Sequence, residues 1–141
     1  MNTHIAVKHE QSIALTASLE NYLKAIHSLE QAESKSVRLT DISRKLSVTK
    51  TSVNRAVGTL KQHGLVNHEH YGTVSLTPKG KRYAENVQRG HIVLRAFLTC
   101  VLGVEPDIAD REACMLEHYL SISTIDKCEH FMKNFLKRSS A

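Results

Sequence analysis

The sequence predicts a mainly α-helical protein in which a winged helix-turn-helix domain is followed by a helical domain. Two short amphipathic segments between Leu39 and Leu60 are separated by a tight turn, which is typical of a helix-turn-helix unit. Two β-prone runs, Leu65–Glu69 and Thr73–Leu76, follow directly around a glycine-containing turn and predict a two-stranded wing. Segments with helical periodicity then occupy the rest of the chain. Together these three patterns predict the fold class.

The N-terminal part of the chain is expected to form a tail and one helix. Residues 1–15 are polar and have no sustained periodicity, which predicts a flexible tail. Thr16 or Ser18 can cap the helix that follows, and its apolar spacing continues to about Glu30. The winged helix-turn-helix domain is therefore expected to span residues 16–77.

The helix-turn-helix has an apolar side and a polar, cationic side. Leu39, Ile42 and Leu46 form an apolar stripe on its first helix, and Thr49 can cap the second. The outward face of the second helix suits contacts to base edges and phosphates in the DNA major groove. Candidates for contacts to bases or nearby phosphates are Thr49, Thr51, Ser52, Asn54 and Arg55. Candidates for contacts to phosphates alone are Lys50, Arg44, Lys45, Lys79 and Lys81. A helical hairpin with an ordinary solvated face is the alternative.

Composition agrees with a polyanionic partner. The chain has 141 residues, a formal net charge of +5 and an isoelectric point of about 9.2, and neutralised phosphates release counterions that contribute affinity. Its three cysteines form no Cys-x-x-Cys pair, which argues against a disulfide scaffold and for buried thiols or metal ligands. With no signal peptide and no apolar run long enough to cross a membrane, the protein is expected to be cytoplasmic.

The second domain, residues 78–141, is expected to be entirely helical. A long helix over about 78–102 exceeds what one winged helix can cover and should link the two domains. A turn at Gly103–Asp107 precedes helices predicted over about Ile108–Leu120 and Ser123–Lys137. Few elements remain to cover their apolar faces, so these helices are expected to close a homodimer. The apolar side of the last helix is predicted to consist of Ile125, Cys128, Phe131, Met132 and Phe135.

A candidate metal site lies in the predicted penultimate helix. Cys114, Glu117 and His118 stand at positions i, i+3 and i+4, so a thiol, a carboxylate and an imidazole are expected on one helix face. These groups are the usual protein ligands of transition metals. A further ligand must come from a neighbouring helix, and His91 on the long helix is the natural candidate. The alternative is a buried thiol beside an ordinary surface Glu-His pair.

The order of these elements resembles the diphtheria toxin repressor family of metal-dependent transcriptional regulators, including its manganese transport regulators. The resemblance extends from about Ser18 to Phe135. It is carried by Glu20-Asn21-Tyr22-Leu23-Lys24-Ala25-Ile26, Leu76-Thr77-Pro78-Lys79-Gly80, Phe97-Leu98, Leu102-Gly103-Val104, Glu112-Ala113-Cys114 and Glu117-His118-Tyr119-Leu120-Ser121. Since the sequence ends at Ala141, the SH3-like third domain of longer members is expected to be absent.

The resemblance implies a homodimeric repressor of metal-ion uptake genes. Bound Mn²⁺ or Fe²⁺ would tie the winged helix to the dimerisation domain and permit binding to double-stranded operator DNA. The residues that match family ligand positions are His91, Cys114, Glu117 and His118. Asn21 and Asp110 occupy two further ligand positions with altered side chains and are additional candidates.

Two cations depart from the family pattern. Lys24 and Arg95 stand where other members carry carboxylate ligands, so at most one divalent metal ion per subunit is expected. We hypothesise that Arg95 or Lys24 replaces a second ion by forming a salt bridge with Glu117 or Asp110. The thiolate and imidazole ligands would favour Fe²⁺, Co²⁺ or Zn²⁺ over Mn²⁺ at equilibrium.

Two other functions remain as alternatives, and a third, a zinc hydrolase, is not favoured by the sequence. A degenerate metal site would leave a regulator that binds DNA constitutively. An exposed low-pKa thiol at Cys114 would instead make a thiol-redox regulator. An enzyme is not expected, because the chain has no His-Glu-x-x-His motif or comparable general-base arrangement.

Overall fold

A computed structural model describes residues 15–32, 36–69 and 72–140. Nearly all of the predicted tail and the centre of the predicted hairpin turn, residues 70 and 71, lie outside the described residues. The chain divides into two compact units between Thr77 and Pro78. Within the described ranges, no helix is both long and apolar enough to cross a membrane.

The described residues of the first unit form three helices and a two-stranded antiparallel sheet, which confirms the predicted winged helix-turn-helix fold. Two threonines begin helices as expected: Leu19 N donates to Thr16 Oγ1 (3.2 Å), and Ser52 N donates to Thr49 Oγ1 (3.1 Å). Each hydroxyl accepts a hydrogen bond from a backbone N–H that the first helical turn leaves unpaired. The helices are α1 (Ala17–Ala32), α2 (Leu39–Leu46) and α3 (Lys50–Gln62), and the strands are β1 (Val66–His68) and β2 (Val74–Leu76).

The turn between α2 and α3 depends on one residue in the left-handed conformation. Ser47 has φ 54° and ψ 45°, and its backbone N–H donates to the carbonyl of Ser43. Val48 N donates to the same carbonyl (3.1 Å), and the Ser43 hydroxyl donates to the Val48 carbonyl. These bonds satisfy the free carbonyl at the end of α2 and fix the direction in which α3 starts.

Hydrogen bonds connect the wing to the preceding segments of this unit. Val74 N donates to the carbonyl of Val37 (2.8 Å), and Leu76 N donates to the Glu30 carboxylate (2.8 Å). The wing strands have three residues each, shorter than predicted, with Asn67 opposite Ser75 at their centre. The side chains that are essentially fully buried in this unit are Leu23, Ile26, Ile42, Val53, Val57, Leu60, Leu65, Val66 and Val74.

The long helix of the second unit changes its hydrogen-bond pattern near its end, which the sequence did not predict. Helix α4 covers Pro78–Ala96, and a π-helical turn then covers Phe97–Val101. In this turn Leu102 N donates to the carbonyl of Phe97 (3.3 Å). A π turn alters the pairing of nearby carbonyls, and the Thr99 hydroxyl donates to the carbonyl of Arg95 at 2.9 Å. The chain is thus helical as far as Val101, close to the predicted end at about 102, but its last turn is π-helical.

The predicted bounds of the penultimate helix are also wrong. Helix α5 covers Pro106–Leu116, because Pro106 is suited to the first helical position and Glu105 accepts from Ala109 N (2.8 Å). The chain leaves α5 early because Ser121 caps the next helix, α6 (Ile122–Ser139), by accepting from Thr124 N at 3.2 Å. Of the predicted metal-ligating triad, only Cys114 therefore lies inside α5.

The last helix buries part of the face that was predicted to form a dimer contact. Ile125 and Met132 are buried within the chain, whereas Phe131 is 47% exposed and stacks on Phe135 with ring centroids 6.1 Å apart. The predicted face is thus divided between the core of this unit and its surface. The buried cluster of the second unit is Leu94, Leu98, Ala109, Ala113 and Ile125, against which Phe97, Val104 and Leu120 pack.

Candidate metal centre and nucleic-acid interface

Helices α4 and α5 bring three different metal-ligating groups together. One ligand atom each from His91, Cys114 and Glu117 lies within 4.8 Å of the others. Two ligands bound to one ion at about 2.1–2.3 Å are at most about 4.6 Å apart. A single ion could therefore be bound by all three groups after small side-chain movements.

Gly90 of α4 lies against two residues next to this site. A Cβ atom built on Gly90 would lie 3.8 Å from Glu117 Cβ and 3.5 Å from Ile125 Cδ1. Both residues therefore pack directly on the backbone of α4, next to His91. Sequence reasoning missed Gly90, although a glycine inside a helical pattern is a signal for close packing.

His91 presents its two ring nitrogens to two different carboxylates. Nε2 lies 3.0 Å from Asp110 Oδ1 and is hydrogen-bonded to it, whereas Nδ1 lies 3.0 Å from Glu117 Oε2. The second contact is close but not aligned as a hydrogen bond, and Nδ1 is a buried nitrogen with no hydrogen-bond partner among the described residues. A buried nitrogen of this kind fits a metal ligand, because coordination would satisfy its lone pair.

Glu117 is the central charged group of the site. Its side chain is fully buried, and its second oxygen, Oε1, lies 3.4 Å from Nε2 of His118. Glu117 caps α5 with nearly helical dihedral angles (φ −56°, ψ −26°), so it stays on the Cys114 face although the helix has ended. His118 lies in the following turn, against Glu117 but outside the group of three ligand atoms. Burial of a carboxylate is costly unless cations or hydrogen-bond donors surround it, and a bound cation would serve this purpose.

The two remaining metal candidates differ in position. Asp110 lies on the Nε2 side of the His91 ring, where its Oδ1 is also 3.4 Å from Nε of Arg95. This contact matches the hypothesised salt bridge between Arg95 and Asp110. Asn21 is exposed on α1 in the first unit, and its role as a ligand stays a prediction.

The predicted DNA-contacting residues are all exposed. On α3, the Thr49 hydroxyl caps the helix and donates to Ser52 Oγ (2.9 Å), so these two side chains also stabilise the helix start. Lys79 and Lys81 lie in the first turn of α4, in the second unit. DNA contact by any of these residues stays a prediction. The exposed candidates are Arg44, Lys45, Thr49, Lys50, Thr51, Ser52, Asn54, Arg55, Lys79 and Lys81.

A winged helix-turn-helix joined to a helical unit with a transition-metal donor set defines the class of metal-dependent DNA-binding regulators. Residues 14–74 match the model of the N-terminal DNA-binding domain of iron-dependent repressors. Residues 77–139 match the model of the metal-binding and dimerisation domain of the same proteins. The chain belongs to this family, the diphtheria toxin repressor family of metal-dependent transcriptional repressors, and is a regulator rather than an enzyme. The predicted resemblance is thus confirmed.

Curated relatives cover most of the chain. An uncharacterized HTH-type transcriptional regulator of Methanocaldococcus jannaschii, MJ0568, is 30% identical over 121 residues, which are 86% of this chain and 97% of the relative. The HTH-type transcriptional regulator MntR of Listeria monocytogenes is 32% identical over 112 residues, or 79% of this chain and 78% of the relative.

Solved structures support the same assignment. A manganese-dependent transcriptional repressor in complex with manganese superposes with a TM-score of 0.72 at 28% identity, and the match covers 82% of this chain and 52% of that one. IdeR of T. acidophilum superposes with a TM-score of 0.65 at 31% identity, covering 79% and 53%. The chain therefore spans about half the length of these two solved proteins.

Proposed function

We propose that the protein is a repressor that binds operator DNA as a homodimer when each subunit holds one divalent transition-metal ion. The observation that carries this proposal is the convergence of His91, Cys114 and Glu117 around the buried, unsatisfied Nδ1 of His91. His118, in contact with Glu117, is the nearest candidate for a fourth ligand. The ion would supply positive charge to the buried carboxylate and hold α4 and α5 in one arrangement.

The choice of metal follows from the donor atoms and from the relatives. A thiolate with imidazole and carboxylate ligands favours Fe²⁺, Co²⁺ or Zn²⁺ over Mn²⁺ at equal concentration. Manganese is named in the solved relative, and iron in the family models. We propose Mn²⁺ or Fe²⁺ as the physiological effector, with Zn²⁺ and Co²⁺ as tight-binding competitors.

The surface of the second unit supports a homodimer. All the large apolar side chains that are exposed among the described residues lie in this unit, where contact between two copies would bury apolar surface. A symmetric dimer through the C-terminal helices would cover them and would match two DNA half-sites about one helical turn apart. These side chains are Ile92, Leu102, Ile108, Met115, Leu116, Tyr119, Phe131 and Leu136.

The DNA-binding role is assigned to α3 and the basic residues around it. Its exposed N-terminal half would enter the major groove, where Arg55 can pair with a guanine edge and Asn54 with adenine. Arg44 and Lys45 would contact phosphates. If metal favours the DNA-competent dimer, then by linkage DNA must raise metal affinity by the same factor. The proposed targets are metal-ion uptake genes. The proposed location of the protein is the cytoplasm.

The test is fluorescence anisotropy of the full chain on the DNA upstream of its own coding sequence, at fixed salt. Binding is compared in chelator and with added Mn²⁺, Fe²⁺ under anaerobic conditions, Co²⁺ or Zn²⁺. We expect tight binding only with metal. Glu117→Gln should abolish the metal response, whereas Glu112→Gln, which removes an exposed carboxylate of α5, should keep it.

A second pair of variants tests the DNA side. Arg55→Ala should weaken binding by about 1–3 kcal/mol and relax base preference at one position of the half-site. Arg111→Ala removes an exposed arginine of α5 and should have a much smaller effect. Equal binding with and without chelator would refute metal control and indicate a constitutive regulator. Loss of binding on mild oxidation in chelator would instead indicate thiol control through Cys114.

A further inference from the structure

We propose that Asp110, held by Arg95, positions the His91 ring so that Nδ1 and not Nε2 binds the metal. Asp110 then acts on the metal through His91 and is not itself a ligand. This inference rests on the proposed metal site, and it also selects one of two possible ligand atoms on the same imidazole.

The two edges of the His91 ring have different surroundings. Nε2 is hydrogen-bonded to Asp110 Oδ1 at 3.0 Å, on the partly exposed side of the site. A neutral imidazole has one N–H donor and one acceptor nitrogen, and an ionised carboxylate can only accept. When a metal ion binds Nδ1, the one proton of the neutral ring lies on Nε2 and is donated to Asp110, and Nδ1 faces the buried side of the site, where Glu117 lies.

Asp110 itself is poorly suited to bind the same ion. It is 55% exposed and does not belong to the group of ligand atoms that lie within 4.8 Å of one another. Its Oδ1 receives both the His91 contact and the Arg95 contact, the latter at 3.4 Å. A carboxylate that accepts from a ligating histidine is a common outer partner of metal sites, where it orients the ring and makes it a stronger ligand.

Arg95 has a supporting part in this arrangement. It stands four residues after His91 on α4, so both side chains project from one helix face towards Asp110. Its guanidinium neutralises the Asp110 carboxylate without a second metal ion. Because Arg95 is 49% exposed and Asp110 is 55% exposed, solvent screens this pair strongly. Loss of Arg95 should therefore matter less than loss of Asp110.

The experiment compares three variants of the full chain with the wild type. Asp110→Ala removes the acceptor, Arg95→Met removes the supporting charge, and Glu112→Ala is the matched control on an exposed position of α5. Co²⁺ affinity is measured by competition with a chelating dye. In Zn²⁺-loaded protein with isotopically labelled histidine, long-range proton–nitrogen spectra report which nitrogen of His91 binds the ion.

The expected result is Zn²⁺ on Nδ1 and a proton on Nε2 in the wild type. Asp110→Ala should weaken Co²⁺ binding by about 10- to 100-fold, the usual cost of losing an outer partner, and Glu112→Ala should leave it nearly unchanged. Arg95→Met should give an intermediate loss and keep Zn²⁺ on Nδ1. Zn²⁺ on Nε2, or equal affinities of Asp110→Ala and Glu112→Ala, would overturn the inference.

Failure of the proposed function would look different. If the wild type bound no metal, the metal site itself would be withdrawn. The positioning role of Asp110 would be withdrawn with it, whereas Zn²⁺ on Nε2 in a protein that does bind metal would overturn the positioning role alone.

Discussion

A pair of ionic hydrogen bonds between α4 and α6 offers a quantitative test of the packing around the site. One nitrogen of Arg89, Nη1, lies 2.7 Å from Asp126 Oδ1 and 2.8 Å from Glu129 Oε2. Hydrogen bonding to Asp126 raises the pKa of Arg89 above its already high ordinary value, although partial burial opposes the shift. The guanidinium therefore stays charged throughout the pH range of folding experiments. Arg89→Met removes the charge and keeps most of the aliphatic stem.

The size of the effect follows from the exposure of the three groups. Hydrogen bonds to charged groups contribute about 1.5–3 kcal/mol, whereas exposed ion pairs contribute about 0–1 kcal/mol. The Arg89 and Glu129 side chains are 31% and 29% exposed, but Asp126 is 55% exposed. The contribution of the Arg89–Asp126 pair should therefore be close to that of an exposed ion pair. The contribution of the Arg89–Glu129 pair should lie between that of an exposed ion pair and that of a hydrogen bond to a charged group. We expect Arg89→Met to lower the free energy of unfolding by about 1–2 kcal/mol.

The assay is urea unfolding of metal-free protein at one fixed concentration, in low and high salt. Lys133→Met is the matched control, because it removes a weaker ion pair with the same carboxylate. Lys133 is 70% exposed, and its Nζ lies 3.8 Å from Glu129 Oε1, near the outer limit for an ion pair. We expect the control to cost less than about 0.5 kcal/mol. High salt should reduce the Arg89→Met penalty in part, since the pair is partly screened already. A penalty no larger than that of Lys133→Met would refute the reasoning.

Three further outcomes follow from single positions. Ser47→Gly should raise the free energy of unfolding by about 0.5–1 kcal/mol, because glycine adopts the left-handed conformation of the helix-turn-helix turn without strain; a less stable variant in urea unfolding would contradict this. Gly58→Ala should stabilise α3 by about 1 kcal/mol, since an added Cβ meets nothing within 4 Å; an unchanged or lower melting temperature would argue against it. Burial raises the pKa of the Cys128 thiol, so a smaller fraction of it is thiolate at about pH 8. Cys128 should therefore react more slowly with iodoacetamide than exposed Cys100 does, and the difference between the two rates should become smaller as the pH rises. Equal rates by peptide mass spectrometry would show that reasoning to be wrong.

Local sequence signals were sufficient to predict most of the first unit. A threonine before an apolar helical stripe predicted the start of α3, and the Thr49 cap confirms it. The wing was predictable because its strands flank a glycine-containing turn. The observed strands lie within the predicted ones and are shorter. What these signals have in common is that each depends on residues close together in the chain.

The errors occur where apolar spacing does not determine the backbone conformation. Apolar spacing cannot distinguish an α turn from a π turn over so few residues, so the change at Phe97 was not predictable. The end of α5 at Leu116 depends on Ser121 capping the next helix as well as on its own residues. The same limit applies to the site: Cys114 and Glu117 were predictable from one helical turn, whereas the separate environments of the two His91 nitrogens depend on residues from α5.

Helix α4 explains why these features belong together. Four positions near its end have different neighbours: Arg89 pairs with α6, Gly90 lies against Glu117, His91 offers Nδ1, and Arg95 holds Asp110 of α5. Each contact restricts α5 or α6 relative to the same stretch of backbone. A site that is arranged before its ligand arrives loses less conformational entropy on binding. Metal affinity in this protein should therefore depend on the packing of the three helices as well as on the ligands. Arg89 touches no ligand atom, yet Arg89→Met should weaken Co²⁺ binding more than Lys133→Met does. Equal Co²⁺ affinities of these two variants would mean that the ligands alone set the affinity.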